Sequence, residues 1–367
     1  MDEKIRRLLR WTDGYCEPPF TLDISPTDKC NLRCLSCWQR GFKNVDSSYE
    51  LSNEKLLDVL KEAIELGVME FEITGGGEPL LRKNLVLQIM ELVKKNGRVG
   101  NITTNGMLFS SKDIKRIVEI GWDRITFSLD GPDVETNDFL RGHGSFEKAM
   151  KNISTLNEYK KIYDSKKPIL KFNTVLSNKN YNKTIEMIEL AHSVGCEIIS
   201  FEPLTVHSDF GKKLKLNKEE IRKFDETIPK AKKLAENYGI YTNIDGLAQS
   251  EFIEKSNEMV EVIKKNGEDS KSGSSDLASL LCFEPWWHLV IKVDGSAQPC
   301  CLYDLGLDNV KDKSLKEIWF GDNFKIIREN IMKREFSKYC SICNAGQVLE
   351  NREIGRILKS EAENITD

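Results

Sequence analysis

Residues 20–38 read FTLDISPTDKCNLRCLSCW, in which a strand-like alternation is followed by Cys30, Cys34 and Cys37. The spacing Cys-x3-Cys-x2-Cys brings three thiols into one loop, which is short enough to wrap a single metal centre. Structural zinc sites take four ligands, and neither a His nor a further Cys is close enough in sequence to supply the fourth. A cubane [4Fe–4S] cluster also usually takes four cysteines, so three leave one iron open to a substrate or cofactor. From spacing alone, a zinc site with a distant fourth ligand remains the alternative.

The chain that follows this loop alternates between helical and strand-like patterns. Strands are predicted over 20–25, 69–74, 99–103, 123–129, 169–176 and 197–202, and helices over 51–66, 82–95, 111–120, 145–159, 182–193 and 218–237. Strands and helices that alternate with short connections predict a parallel α/β sheet with helices outside. The units are too few to close an eight-fold barrel, so we expect an open, partial (β/α)6 barrel. Polar and glycine-containing segments directly follow the strands, at the edge where parallel α/β folds bind ligands.

A second group of cysteines follows a change in composition. The polar stretch 264–276 (KKNGEDSKSGSSD) predicts a flexible segment, and the strand-like run 283–295 ends at Asp294-Gly295, a hairpin turn pattern. Cys282, Cys300, Cys340 and Cys343 therefore belong to a small C-terminal domain. The predicted organisation is an N-terminal extension (1–19), the partial barrel (20–237), a linker (238–280), the small domain (281–347), and a C-terminal helix and tail (348–367).

Charge and composition exclude several classes of function. The chain has 54 Lys and Arg against 58 Asp and Glu, a net charge of −4, which gives no general attraction to nucleic acid or acidic membranes. No apolar run approaches the ~20 residues that span a bilayer. The charged N-terminus lacks the apolar region of a signal peptide. We therefore expect a cytoplasmic protein without nucleic-acid or membrane partners, in which ten cysteines serve metal binding or catalysis rather than disulfides.

Over about residues 20–225 the sequence resembles the radical SAM (S-adenosylmethionine) superfamily. The loop Cys30–Cys37 looks like the family's cluster-binding loop, and Gly76-Gly77-Glu78 matches its GGE motif. The resemblance implies a [4Fe–4S] cluster whose open iron is chelated by the amino and carboxylate groups of SAM. It also implies an electron donor such as a flavodoxin or ferredoxin, and reductive cleavage of SAM to methionine and a 5′-deoxyadenosyl radical. The family typically has an aromatic residue where this chain has Ser36, and Trp38 is expected to supply that surface near the adenine.

The resemblance also carries over to further positions at the carboxyl edge. Glycines let the backbone approach a ligand closely, and Glu78 with neighbouring backbone groups is expected to accept hydrogen bonds from the SAM ammonium. Asp130 begins Asp130-Gly131-Pro132, for which a plain turn is the alternative, and Arg141 resembles the arginine that pairs with the SAM carboxylate, with a surface arginine as its alternative. The implied cofactor-binding residues are Trp38, Gly76, Gly77, Glu78, Asn105, Ser128, Asp130 and Arg141. Ser128 and Asp130 are the expected ribose contacts, and Asn173 is a further candidate at the same edge.

The second cysteine group resembles the SPASM/twitch auxiliary-cluster domains that follow many radical SAM barrels. No cysteine follows Cys343, which favours the shorter twitch form with one auxiliary [4Fe–4S] cluster on Cys282, Cys300, Cys340 and Cys343. The spacing is similar to that of 2-deoxy-scyllo-inosamine dehydrogenases. A four-cysteine zinc ribbon is the alternative.

The expected activity is a two-electron oxidation of a small polar molecule, such as a sugar or aminocyclitol, with the auxiliary cluster accepting an electron. Arg141 and Cys301 are the candidate catalytic residues; Cys301 has an alternative ligand, a hydrogen-atom donor and a small buried residue as its possible roles. The other hypotheses are a peptide-modifying maturase, and a redox-neutral epimerase or isomerase in which Cys301 or Cys16 returns a hydrogen atom. A non-catalytic zinc or iron–sulfur protein acting on RNA is disfavoured by the acidic balance of the chain.

Overall fold

Strands and helices follow one another in the computed structural model in the order that the sequence predicts. The structure describes residues 2–37, 39, 48–206, 209–247, 282–303, 308–337, 340, 343 and 345–366, so Trp38 and the predicted flexible segment 264–276 lie outside the described residues. The strands are β1 (Thr21–Ile24), β2 (Glu70–Ile73), β3 (Val99–Thr104), β4 (Arg124–Ser128), β5 (Ile169–Leu176), β6 (Ile198–Pro203), β7 (Tyr241–Thr242), β8 (His288–Ile291), β9 (Ser296–Gln298) and β10 (Asp308–Asn309). The α-helices are α1 (Glu3–Thr12), α2 (Asn53–Leu66), α3 (Lys83–Lys95), α4 (Ser111–Glu119), α5 (Val134–Arg141), α6 (Ser145–Ile162), α7 (Thr184–Ser193), α8 (Asp209–Lys212), α9 (Lys218–Tyr238), α10 (Glu284–Trp287), α11 (Leu315–Trp319), α12 (Asp322–Met332) and α13 (Ala345–Thr366).

Local chemistry fixes where the helices begin and end. The side chain of Ser52 accepts a hydrogen bond from Lys55 N at the start of α2, and Gly67 ends this helix in the left-handed region at φ 100°. Asn217 and Glu220 form a reciprocal capping box at the start of α9. These short-range patterns are why the predicted helix bounds agree closely with the observed ones.

Two helices were not predicted from the sequence. α1 lies in the segment expected to be an N-terminal extension, and α5 is a short helix that follows the turn at Asp130-Gly131-Pro132. The Asp133 side chain caps α5 by accepting a hydrogen bond from Thr136 N at 2.7 Å. α5 matters for the site because it ends at Arg141.

The contacts within the chain divide it into two compact units. Unit 1 comprises Met1–Ile24, Glu50–Phe71 and Glu254–Asp367, and unit 2 comprises Ser25–Tyr49 and Glu72–Ile253. This division differs from the linear boundaries predicted above, because β1 pairs in parallel with β8 and is thereby grouped with the C-terminal part of the chain. The boundaries drawn from the sequence stay predictions.

Unit 2 contains the open, parallel sheet that the alternation predicted. Strands β3 to β7 pair in sequence order, and each pair is parallel. One face of this sheet is apolar and fully buried, with Ile125, Phe127, Phe172, Ile199 and Phe201 among its residues. The opposite face carries polar residues at alternate positions, and we call it the inner face. Its cross-strand neighbours include Thr126 with Lys171, and Ser128 with Asn173 and Ser200.

Unit 1 contains the predicted hairpin. β8 and β9 are antiparallel and joined through Asp294-Gly295, where Gly295 has φ 89°. Its core contains Leu8, Phe283, Trp286, Trp287 and Ile331, and the Cys282 side chain packs against this core. No described helix has the length and apolarity that crossing a membrane requires.

Candidate active site

Hydrogen bonds in unit 2 hold the first cysteine loop against the turn that follows β2. Gly77 N donates to Thr27 O at 2.9 Å, and Glu78 N donates to Lys29 O at 2.8 Å. On the other side of the loop, Leu35 N donates to Leu140 O at 2.8 Å. The loop with Cys30, Cys34 and Cys37 is therefore fixed by backbone contacts at both ends, although it has no regular secondary structure.

The three thiols of this loop lie close enough to interact electrostatically. Cys34 is within electrostatic range of both Cys30 and Cys37, and burial raises the pKa of the Cys34 thiol to about 11, while the cation of Arg141 opposes this rise. Among the described residues, no three Cys, His, Asp or Glu side chains converge so as to hold one metal ion. A zinc ion would draw its sulfur ligands to about 3.8 Å from one another, given Zn–S bonds of about 2.3 Å. The wider arrangement of the thiols suits a larger group, such as an iron–sulfur cluster.

The glycines of the GGE motif are required by close packing. A Cβ atom at Gly77 would overlap the carbonyl oxygen of Lys29 and lie 2.6 Å from the carbonyl carbon of Asp28. A Cβ atom at Gly76 would overlap the carboxylate of Asp28. These two positions therefore tolerate only glycine while the turn is packed against the cysteine loop.

The carboxylate of Glu78 is buried at 2% exposure and accepts three hydrogen bonds. Oε1 accepts from Leu80 N at 3.1 Å and from Thr104 Oγ1 at 2.7 Å, and Oε2 accepts from Asn105 N at 2.8 Å. Burial raises the pKa of Glu78, and these hydrogen bonds oppose the rise. Glu78 thus ties the turn after β2 to the end of β3, and its oxygens are already occupied within the protein.

Asn105 links the end of β3 to the cysteine loop. Its Nδ2 donates to Asn31 Oδ1 at 2.8 Å, and its Oδ1 accepts from Met107 N at 3.0 Å. Asn31 lies directly after Cys30, so Asn105 fixes the chain beside the first ligand position. Like Glu78, Asn105 is brought to the predicted site but is engaged by neighbouring protein groups.

Asp130 and Arg141 form a buried ion pair beside the cysteine loop. Arg141 Nε lies 2.8 Å from Asp130 Oδ2, although the two atoms are not aligned as a hydrogen bond. Asp130 Oδ1 accepts from Val175 N at 2.8 Å, which fixes the carboxylate against β5. Arg141 is also within electrostatic range of Cys34. The predicted ribose contact Asp130 therefore holds Arg141, the predicted partner of the SAM carboxylate.

A second set of polar groups lies on the inner face at the carboxyl ends of β4, β5 and β6. Ser128, Asn173 and Ser200 are cross-strand neighbours, and we call them the polar row. Glu202 follows on β6, opposite Val175. Sequence reasoning included Ser128 and Asn173 but missed Ser200 and Glu202. The alternation of Ser200 and Glu202 with buried Ile199 and Phe201 was the pattern that placed them on one face.

The inner face is different at the opposite ends of the same strands. Asn101 Nδ2 donates to Glu72 Oε2 at 2.5 Å, and Arg124 lies 3.2 Å from Glu72 Oε1. Thr126 Oγ1 donates to Asn101 Oδ1 at 3.0 Å. The polar groups at this end satisfy one another, so the sheet itself accounts for them.

The second cysteine group lies in unit 1. Cys282 is within electrostatic range of Cys300 and Cys343, and burial raises the pKa of its thiol. Tyr303 is within electrostatic range of both Cys300 and Cys340. The structure thus brings together the cysteines that the sequence grouped.

A buried carboxylate lies beside these cysteines. Glu284 accepts a hydrogen bond from Gln347 Nε2 at 2.6 Å, and its Oε2 lies 2.8 Å from His288 Nδ1. Trp286 and Trp287 belong to the core of unit 1 rather than to an exposed surface. The His288 ring stacks on Trp287 with a centroid distance of 5.2 Å.

The remaining cysteines differ in their environments. Cys301 is exposed and within electrostatic range of Asp23 and Glu284. Cys16 is exposed in the segment between α1 and β1. Cys196 is buried, and its Sγ lies 3.1 Å from Ile198 O, so it is part of the core as expected.

Comparison with protein-family models gives two matches. Residues 24–165 match the radical SAM superfamily, and residues 282–344 match an iron–sulfur cluster-binding domain. The chain belongs to the radical SAM superfamily. It is a radical SAM enzyme with a C-terminal SPASM domain, which implies SAM, a radical SAM [4Fe–4S] cluster and an auxiliary iron–sulfur cluster as its cofactors.

Curated relatives carry names from one activity. The chain is 28% identical to a GTP 3′,8-cyclase of Clostridium perfringens over 88% of this chain and 92% of that protein. It is 30% identical to a probable GTP 3′,8-cyclase of Saccharolobus islandicus over 59% of this chain and 67% of that protein. Several other matches span about half the length of the relative, as with the 34% identical probable GTP 3′,8-cyclase of Archaeoglobus fulgidus, of which 57% is covered.

Solved structures agree on the fold. SuiB of Streptococcus suis bound to S-adenosylmethionine aligns with a TM-score of 0.64 and 17% identity, over 88% of this chain and 71% of that one. The enzyme anSMEcpe with bound AdoMet aligns with a TM-score of 0.63 and 19% identity, over 95% of this chain and 96% of that one. At these identities the likeness concerns the fold alone.

Proposed function

We propose that this radical SAM enzyme binds its catalytic cluster through Cys30, Cys34 and Cys37, and that Arg141 pairs with the carboxylate of SAM. The buried Asp130–Arg141 pair beside the cysteine loop is the observation that carries this assignment. When bound, the cluster and SAM together supply a one-electron cleavage that yields a 5′-deoxyadenosyl radical able to abstract hydrogen from an unactivated carbon. Ser128 remains the proposed ribose contact.

The occupied side chains at this edge have a positioning role in the proposal. Glu78 accepts three hydrogen bonds from the protein and so orients the backbone of Gly76 and Gly77 toward the cysteine loop. Asp130 holds Arg141 in a fixed place through its own hydrogen bond from Val175 N. The protein thereby prepares the donors and acceptors for SAM before SAM binds, which avoids an ordering cost on binding.

We further propose that the reaction is a two-electron oxidation of a small polar molecule, such as a sugar or aminocyclitol alcohol. Cys282, Cys300, Cys340 and Cys343 are proposed to hold one auxiliary [4Fe–4S] cluster, with a flavodoxin- or ferredoxin-type protein as the electron donor. Four cysteines saturate a cubane cluster, so this group suits electron transfer better than direct substrate binding. Cys301 stays a candidate hydrogen-atom donor for a redox-neutral epimerisation or isomerisation.

Cyclisation of GTP is the second candidate, and the names of the relatives favour it. The charges on the inner face of unit 2 favour the first candidate. Along β2 to β6 the described inner face of unit 2 carries Glu72 and Glu202 against Arg124 and Lys171, so its formal charges balance. A triphosphate needs an excess of cationic groups, which this face does not offer, whereas a neutral or cationic polar substrate fits it.

The test is anaerobic reconstitution followed by product analysis. The account predicts one 5′-deoxyadenosine and one ketone or aldehyde per oxidised substrate molecule, measured by mass spectrometry with 2-deoxy-scyllo-inosamine and glucosamine as probes. Conversion of GTP with no oxidation of either probe would favour the cyclase. Solvent deuterium in a product of unchanged oxidation level, lost in Cys301→Ala, would favour isomerisation. Modification of a co-purifying peptide would favour a maturase.

A further inference from the structure

Glu202 has an environment that the fold of unit 2 does not explain. It lies near the carboxyl end of β6, opposite Val175 on the inner face, and its side chain is only partly exposed. Within the part of the chain that the structure describes, no hydrogen bond or ion pair reaches its carboxylate. Burial raises the pKa of Glu202, and the charge of Lys171 opposes this only in part. A largely buried acceptor without a donor costs free energy and calls for a partner.

The polar row next to Glu202 shows the same feature. The side chains of Ser128, Asn173 and Ser200 also make no side-chain hydrogen bond to any described residue. At the opposite ends of these strands, Glu72, Asn101, Arg124 and Thr126 satisfy one another instead. Unsatisfied polar groups are therefore concentrated at the carboxyl edge of the sheet, where parallel α/β folds bind their ligands.

We propose that Glu202 is the substrate-anchoring residue of this enzyme and that its carboxylate accepts hydrogen bonds from hydroxyl or ammonium groups of the substrate. Asn173 and Ser200 flank it and provide further donors and acceptors for a polyhydroxylated ring. The substrate class that follows is a small neutral or cationic polyol or amino alcohol. This inference rests on the proposed function, because it identifies the substrate of that same site.

The proposal explains how the site would select its substrate. A compound without a hydroxyl or ammonium group at the matching position would leave the Glu202 carboxylate buried and unpaired, which sites of this kind reject strongly. A phosphate group at that position would meet an anion rather than a cation. Glu202 therefore favours polyols and amino alcohols and disfavours nucleotides.

The experiment measures binding of three probes to the reconstituted, SAM-loaded enzyme by calorimetry. The probes are 2-deoxy-scyllo-inosamine, glucosamine and myo-inositol, with GTP as the contrasting ligand. We expect at least one of the three to bind the wild type, and Glu202→Gln to weaken it by about tenfold to a hundredfold, since hydrogen bonds to charged groups are worth about 1.5–3 kcal/mol. Glu202→Asp should retain part of the affinity. Glu236→Gln makes the same charge change on the exposed side of α9 and should bind like the wild type.

A thermal melt of the same variants separates ligand binding from a structural role. If Glu202 serves a ligand, Glu202→Gln removes a buried charge without a partner, so its Tm should equal or exceed that of the wild type. A lowered Tm with unchanged probe binding would overturn the proposal. Binding of none of the three probes to the wild type, or equal binding to Glu202→Gln, would also overturn it. Failure of the wild type to form 5′-deoxyadenosine would instead count against the proposed radical chemistry, whatever the binding data.

Discussion

Glu78 connects two segments at the ligand-binding edge of unit 2 through a single carboxylate. Its oxygens accept from Leu80, Thr104 and Asn105, and it is almost completely buried. An amide in its place keeps the shape of the side chain but turns one acceptor into a donor. At least one of the present donors would then face another donor.

We therefore predict that Glu78→Gln lowers the free energy of unfolding by about 2 kcal/mol, since hydrogen bonds to charged groups contribute about 1.5–3 kcal/mol. SAM binding should weaken as well, because the turn at Gly76 and Gly77 loses its anchor. Iron content should stay near that of the wild type, since the cysteines are unchanged. Denaturant unfolding and calorimetric titration with SAM check these outcomes. Unchanged unfolding and unchanged SAM affinity would show that the carboxylate does not organise this edge.

The residue scale also shows what the sequence can and cannot predict. Cys30, Cys34 and Cys37 were found from their spacing alone, because a motif within one loop needs no tertiary information. That Asp130 holds Arg141 was not foreseen, since the two residues meet only after α5 has formed. Glu202 was missed because a single carboxylate near the end of a strand has no motif. Its significance depends on the absence of partners on neighbouring strands.

At the scale of elements, the turn after β2 and the cysteine loop pack without room for a side chain. Gly77→Ala would place its Cβ against the backbone of Asp28 and Lys29, neither of which can move as a flexible side chain would. We predict that this variant incorporates less iron at the first cysteine loop and binds SAM poorly. Gly121→Ala is the control, because Gly121 has φ 68° but nothing within 4 Å of the added atom. The control should lose about 1–2 kcal/mol of stability from backbone strain alone and keep its iron. Equal iron content in both variants would contradict the packing account.

Asp123 joins three elements at the amino end of β4. It accepts from Lys94 at 2.5 Å, from Gly100 N at 2.9 Å and from Lys167 at 2.5 Å. Burial alone would raise the pKa of Asp123, but the hydrogen bonds from Lys167 and Lys94 outweigh it and hold the pKa below the usual 3.8. A depressed folded-state pKa stabilises the protein above the unfolded-state value and is lost as the pH falls through the folded-state value.

Asp123→Asn should therefore lower the free energy of unfolding of the apoprotein by about 2 kcal/mol at neutral pH, because charge-assisted hydrogen bonds are lost. The difference from the wild type should shrink as the pH falls below 3.8, where the wild-type carboxylate also becomes protonated. Urea unfolding at a series of pH values measures this. A difference that does not depend on pH would mean that shape, and not charge, holds these elements together.

The order of strands and helices was predictable because each element has its own periodicity and caps. The pairing of β1 with β8 was not, since it joins residues more than 260 positions apart and no local pattern encodes it. The same limit applies to the polar row. Ser128, Asn173 and Ser200 each follow an ordinary strand alternation, and only the register among β4, β5 and β6 makes them neighbours.

At the scale of the whole molecule, each unit contributes one group of cysteines. The first group lies in the open parallel sheet of unit 2, and the second lies beside the hairpin and the tryptophan-rich core of unit 1. Sequence reasoning identified both groups and the family. The substrate is not encoded in either motif, because it depends on side chains that line the inner face and that only the fold assembles.

The central claim is that the two groups of cysteines hold two separate [4Fe–4S] clusters. Its most direct test is the iron and acid-labile sulfide content of the anaerobically reconstituted wild type and of the Cys30/Cys34/Cys37→Ala triple variant. The account predicts about eight irons per chain in the wild type and about four in the variant, because each cubane contains four. About four irons in the wild type and none in the variant, with zinc at the second group, would contradict the auxiliary cluster and the oxidation built on it.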